Sequence, residues 1–137
     1  VRDFKLEDKI SFIGNIKRDE IGEYYNASDI MVTPSIVDQV GNVDGGPVAS
    51  FESMACGKPQ VATNILGLAE VINDGVEGYV VPQKDIKSLT IALGKLIKSK
   101  VLRESMGKSG RELITKEIST KSIGRKYTDF FAQALSI

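Results

Sequence analysis

The residues best placed to do chemistry lie in the stretch 44–59, DGGPVASFESMACGKP. Asp44-Gly45-Gly46 runs directly into a segment, 47–56, that reads as a helix. The first N–H groups of a helix have no intrahelical partner, and the helix dipole adds positive charge there, so such an end accepts anions. Glycines at 45 and 46 would let a ligand approach the backbone closely. A diphosphate or a cluster of sugar hydroxyls would suit this end. The plainer reading is a turn, with Asp44 as helix cap.

Glu52 lies inside the same helix. Its neighbours at i−4, i−3, i+3 and i+4 are Val48, Ala49, Ala55 and Cys56, none of them charged. A carboxylate removed from water costs several kcal/mol unless it is hydrogen-bonded. The two hydroxyls of a ribose would supply both donors. A structural carboxylate, satisfied by a nearby lysine or backbone amide, is the alternative that these residues leave open.

Other chemistries find little support. The sequence has no histidine and one cysteine, Cys56. That removes Ser-His-Asp and Cys-His nucleophiles, argues against a zinc site, and rules out a disulfide framework. Cys56 reads as a small core residue. Neither G-x-x-x-x-G-K-[ST] nor G-x-G-x-x-G occurs, so ATPase and nicotinamide readings are poor. Lys58 reads as a cation at a helix C-terminus. Lysine and arginine total 18, as do aspartate and glutamate, a balance without the basic footprint of a nucleic-acid binder. Lys95, Lys98, Lys100, Arg103 and Lys108 are bunched, which reads as a solvated helical face. No apolar run reaches the length of a membrane span, and no signal-peptide pattern is present. A reducing, cytoplasmic setting is the expectation. The start, Val1-Arg2-Asp3, suggests a portion of a longer protein.

Length and patterning say what must hold these groups. With 137 residues there is material for one domain with a genuine core. Short β-rich runs are expected at 9–14, 29–34, 59–63 and 79–81, the second as a strand buried on both faces. Helices are expected at 19–27, 47–56, 67–73, 103–116 and 120–135, with a further one capped by Asp85. That one should bury Ile86, Leu89, Leu93, Leu96 and Ile97. The last should use Ile123, Tyr127, Phe130, Phe131 and Leu135 along one side. Tyr24, Tyr25, Phe130 and Phe131 read as core, and Glu70 as a brace for its short helix. Strands alternating with helices predict an α/β fold with a Rossmann-like parallel sheet. Such sheets bind ligands at the carboxyl ends of their strands, here the loops after Gly14, Pro34 and Thr63.

At this point the sequence resembles a known family. The pattern E-G-x6-E-A-M-A-x-G-x-P-V-V-A-T belongs to the C-terminal domain of group 1 (family 4) retaining glycosyltransferases of the two-domain GT-B fold. Here it is matched by Asp44-Gly45 and by residues 52–63, ESMACGKPQVAT. The family's following segments are matched by 66–72, LGLAEVI, and 74–82, DGVEGYVVP; upstream, KISFIGNI and SDIMVTPS look like its paired strands.

The resemblance implies transfer of a glycosyl group from a UDP-, GDP- or ADP-sugar with retained anomeric configuration, without a cofactor or bound metal. It implies that Asp44 touches the donor sugar and that Gly45, Gly46, Pro47, Val48 and Ala49 face sugar and diphosphate. Glu52 would hold the ribose hydroxyls, and the loop at Gly14, Asn15 and Ile16 would pack on the nucleobase. It also implies that an upstream strand–helix unit and an N-terminal acceptor domain are missing from 1–137, so that the chain alone would not complete the reaction. An acceptor at the cytoplasmic membrane face fits the lack of a membrane span. One departure is Asp44 where the family has Glu, one methylene shorter, which bears on sugar contacts more than on nucleotide contacts. A sugar-nucleotide epimerase or phosphorylase-like enzyme, or a non-catalytic nucleotide- or partner-binding module, shares this architecture. The 52–63 match favours the transferase over the other enzymes, whereas Asp44 in place of Glu is the feature that favours the non-catalytic module.

Overall fold

A computed structural model describes residues 2–42, 48–65 and 67–135. Its centre is a three-stranded parallel sheet of β1 (Met31–Thr33), β2 (Gln60–Thr63) and β3 (Gly78–Val81), in that spatial order. Val61 sits beside Val32 on one side and Tyr79 on the other. β2 is central and wholly buried, with Val61 and Ala62 between two buried polar residues, Gln60 and Thr63. β1 is only partly buried, so the expected two-faced burial is incomplete.

The connection from β1 to β2 runs through α2 (Val48–Ala55), making a β-α-β unit. α2 stops because Gly57 takes a φ of +72°, and Gly57 and Lys58 N–H groups return to the Met54 and Ser53 carbonyls. α1 (Ile21–Ala27) precedes β1 and packs on α2. Among the described residues the connection from β2 to β3 has no helix. Residues 67–71 form turns where a short helix was expected. Leu68 and Ile72 are nevertheless buried, so the segment satisfies its apolar periodicity without a full helical ladder.

Alternation along β2 sends neighbouring residues to opposite faces of the sheet. Ala62 joins Met54, Ile65, Leu68, Ile72 and Ile114 on the α2 side. Val61 joins Val81, Ala92, Leu96 and Met106 on the other, beneath α3 (Ile86–Lys98). Asp85 caps α3 as expected, accepting from the Ser88 N–H at 3.0 Å. Its buried face is centred on Ala92 and Leu96, while Ile86 and Ile97 stay exposed. α4 (Lys100–Leu113) begins three residues earlier than expected because the Ser99 hydroxyl caps it, accepting from the Leu102 N–H. It supplies Met106 to one core and reaches Met54 of the other near Gly110. It passes the Gly57–Lys58 turn, which precedes β2, and so crosses the amino ends of the strands. The carboxyl ends are left for the loops. A π-helical turn (Ile114–Ile118) leads to α5 (Thr120–Leu135).

Two further expectations fail. Residues 10–14 form no strand, and Ile10, Phe12 and Ile13 are exposed, because no described strand lies beside them. The apolar side of α5 is also uncovered. None of its residues is buried, and Tyr127, Phe130 and Phe131 pack mainly on one another. Of the four aromatic residues expected in the core, only Tyr25 is buried.

Candidate functional site

α2 starts on the carboxyl-end side of β1 and descends along the sheet. Its upper turn is fixed by a buried contact of 2.8 Å between the Thr33 and Ser50 hydroxyls. Its lower turn is fixed by Gln60, whose Nε2 donates to Ser53 Oγ at 2.9 Å. These polar links lie on the sheet side of the helix. Glu52 points elsewhere, towards α1, and is half-buried.

Its carboxylate accepts one hydrogen bond, from the Tyr25 hydroxyl to Oε2 at 3.1 Å. Among the described residues, no lysine or arginine pairs with it, and no group donates to Oε1. Lys58, just past the end of α2, donates to the Asn26 carbonyl at 2.9 Å. Glu52 is therefore neither turned fully to water nor neutralised by an internal cation. Tyr25 is missed by sequence reasoning as a site residue. Its phenol is pushed above the ordinary tyrosine range by burial first, then by the Glu52 hydrogen bond and charge, with Cys56 adding to them. A more deeply buried carboxylate, Glu77, accepts from the Asn73 N–H and side-chain amide and serves the turn before β3.

The loops at the strand ends are tied together. Thr63 Oγ1 donates to the Ser35 carbonyl, joining the end of β2 to the loop after β1. Gln83 bridges the same two loops, accepting from the Val37 N–H at 2.8 Å and donating to the Asn64 carbonyl at 3.1 Å. Further along, the Asp38 carboxylate accepts from the N–H groups of Val40 and Asn42 and from the Asn42 side chain. Those bonds hold Asp38 below the usual carboxylate range, the Asn42 side chain contributing most. The loop is thereby shaped up to Asn42.

Asp44, Gly45, Gly46 and Pro47 lie outside the described residues. Val48 is exposed and Ala49 half-buried at the start of α2. Gly14 has a φ of +75° and, with Asn15, is exposed; no hydrogen bond joins either to α2 among the described residues. Glu70 is exposed and braces nothing described, since the helix expected around it is replaced by turns. Cys56 is a free, half-buried thiol. Among the described residues there is no group of three or more Cys, Asp or Glu arranged to hold a metal ion. No described helix is long and apolar enough to cross a membrane.

The profile of the group 1 glycosyl transferases matches residues 1–113. The chain belongs to this family. Its likeness to the N-acetyl-alpha-D-glucosaminyl L-malate synthase of Bacillus anthracis is 29% identity over 135 residues, 98% of this chain and 33% of that protein. The crystal structure of sucrose-phosphate synthase from Thermosynechococcus elongatus superposes with a TM-score of 0.83 at 26% identity, covering 98% of this chain and 32% of that one. That of Anabaena Alr3699/HepE in complex with UDP superposes with a TM-score of 0.81 at 20% identity, over 96% of this chain and 34% of that one, and shares the fold. The architecture is thus the Rossmann-like α/β unit of GT-B glycosyltransferases. The group 1 glycosyltransferase chain described here spans about a third of the length of each of these three proteins.

Proposed function

We propose that this glycosyltransferase chain supplies the donor-binding half of a longer enzyme and grips a nucleotide diphosphate sugar at the carboxyl ends of its strands. Glu52 carries the proposal. It is a half-buried carboxylate in α2, without a neutralising cation among the described residues, and one of its oxygens has no described donor. A ribose diol fits that need. The amides of Gly45, Gly46, Val48 and Ala49 would then face the diphosphate and sugar, and Asp44 the hexose. Gly14 and Asn15 would border the base. Stabilising the departing diphosphate would be the main electrostatic task of a transfer that retains anomeric configuration. The family membership supports this reading, as does the UDP bound to a protein of the same fold.

The test is calorimetry on the longer protein carrying this chain, with UDP-, GDP- and ADP-sugars. One donor class should bind. Glu52→Gln replaces a charged acceptor by a neutral amide and should weaken every donor of that class by a similar factor, about 10- to 100-fold. Asp44→Asn should instead change the ranking of sugars attached to one nucleotide. Unchanged affinity in both variants would overturn the assignment of roles.

A further inference from the structure

A carboxylate on a three-torsion side chain is a poor receptor unless something holds it. The terminal torsion of glutamate is broad, so the carboxylate plane is not set by the helix alone. In this structure it is set from a different element. Tyr25 sits in the last turn of α1, only 8% exposed, with its hydroxyl on Glu52 Oε2. The bond spans 27 residues of sequence and joins two helices that pack on one another. It takes one of the roughly four lone-pair sites of the carboxylate and leaves Oε1 without a described donor.

We infer that Tyr25 is a positioning residue of the donor site, fixing the Glu52 carboxylate through its hydroxyl so that Oε1 and the remaining lone pair of Oε2 are presented to the two ribose hydroxyls. This rests on the reading of Glu52 as the ribose acceptor. The physical advantage is preorganisation. The rotational freedom of Glu52 is lost on folding and need not be lost again on binding. The ring's burial makes the arrangement stiff, since a phenol has only two side-chain torsions and this one is held by packing. The remaining hydroxyl contact is directional, which a purely apolar core residue would not provide. A phenylalanine at 25 would fill the same space equally well, so the hydroxyl is the part of the residue that the site uses.

The experiment compares ligands with and without the diol. Affinities of UDP, GDP and ADP, and of their 2′,3′-dideoxy counterparts, are measured by calorimetry on the longer protein and on its Tyr25→Phe, Glu52→Gln and doubly substituted forms. The original protein should prefer the ribose form of its nucleotide. Glu52→Gln should erase that preference. Tyr25→Phe should reduce it about five-fold while leaving the dideoxy nucleotide bound as before, and should add nothing in the Glu52→Gln background. Equal weakening of ribose and dideoxy forms by Tyr25→Phe would mean a merely structural tyrosine, and the inference would fall. An intact preference in Tyr25→Phe beside a lost one in Glu52→Gln would also overturn it while sparing Glu52. A preference that survives Glu52→Gln, or no binding of any of the three nucleotides, would remove the ribose reading and this inference with it.

Discussion

Single residues here balance polar satisfaction against apolar packing, and Gln60 shows the tension best. It opens the central strand and is fully buried. Its Nε2 is used twice, on Ser53 Oγ and the Lys58 carbonyl, but its Oε1 is buried with no partner among the described residues. The group 1 pattern has valine at this position and alanine at 53, so a polar pair stands here for an apolar one. Removing both partners of a buried pair is near neutral or stabilising, whereas removing one leaves the other stranded. The double substitution Ser53→Ala/Gln60→Val should therefore raise the unfolding free energy by about 1 kcal/mol. Ser53→Ala alone should lower it by a similar amount. Urea melts followed by circular dichroism measure both. A double variant less stable than Ser53→Ala would show that the amide is better satisfied than its geometry indicates.

At the scale of elements, close approach of backbones decides which glycines matter. Gly107 on α4 faces the carbonyl of Gly57, so an added Cβ would collide with main chain that cannot rotate away. Gly94 on α3 has nothing among the described residues within 4 Å of such an atom. Gly107→Ala should cost about 2 kcal/mol or more, because α4 must lift from the turn before β2. Gly94→Ala should gain up to about 1 kcal/mol from helix propensity alone. Thermal unfolding of the two variants checks opposite signs for the same substitution. Much of this level was legible beforehand: α5 keeps its expected bounds, Asp85 caps α3, and Gly57 ends α2. What failed shares a physical cause. KISFIG has the composition of a strand, but a strand is a pairing, and the composition of one segment does not supply its partner. The stretch 67–73 has helical spacing of apolar residues, yet turns bury Leu68 and Ile72 as well as a helix would. At the site, Glu52 stood out through its uncharged helical neighbours. Tyr25 did not, because an aromatic beside apolar residues reads as core, and only the fold brings its hydroxyl across 27 residues to a carboxylate.

Across the whole molecule the charges balance at pH 7, so net repulsion is smallest there and the groups with shifted values decide where each limb begins. On the acid side Asp38, Asp85 and Glu117 all lie below their ordinary values of 3.8, 3.8 and 4.5. The Asn42 side chain, the Ser88 hydroxyl and the Lys126 ammonium respectively are the chief causes. A lowered folded-state value means that the native protein binds fewer protons than the unfolded chain in that range. The stabilisation is present above about pH 4.5 and is lost as pH falls through the folded values. On the alkaline side Tyr25 is raised above 10.0, so the native state holds its phenol proton longer. That contribution is full below pH 10 and is lost as pH rises through the folded value. Stability should hence form a plateau over the neutral range with a shoulder at each end. The two shoulders separate by substitution. Asp85→Asn should flatten part of the acid limb and leave the alkaline one, and Tyr25→Phe should do the reverse. Urea midpoints measured from pH 3 to 11 give the profile. An alkaline limb identical in the original protein and in Tyr25→Phe would mean that neither burial nor Glu52 holds the phenol proton in solution, and the packing of α1 on α2 around this tyrosine would have to be read again.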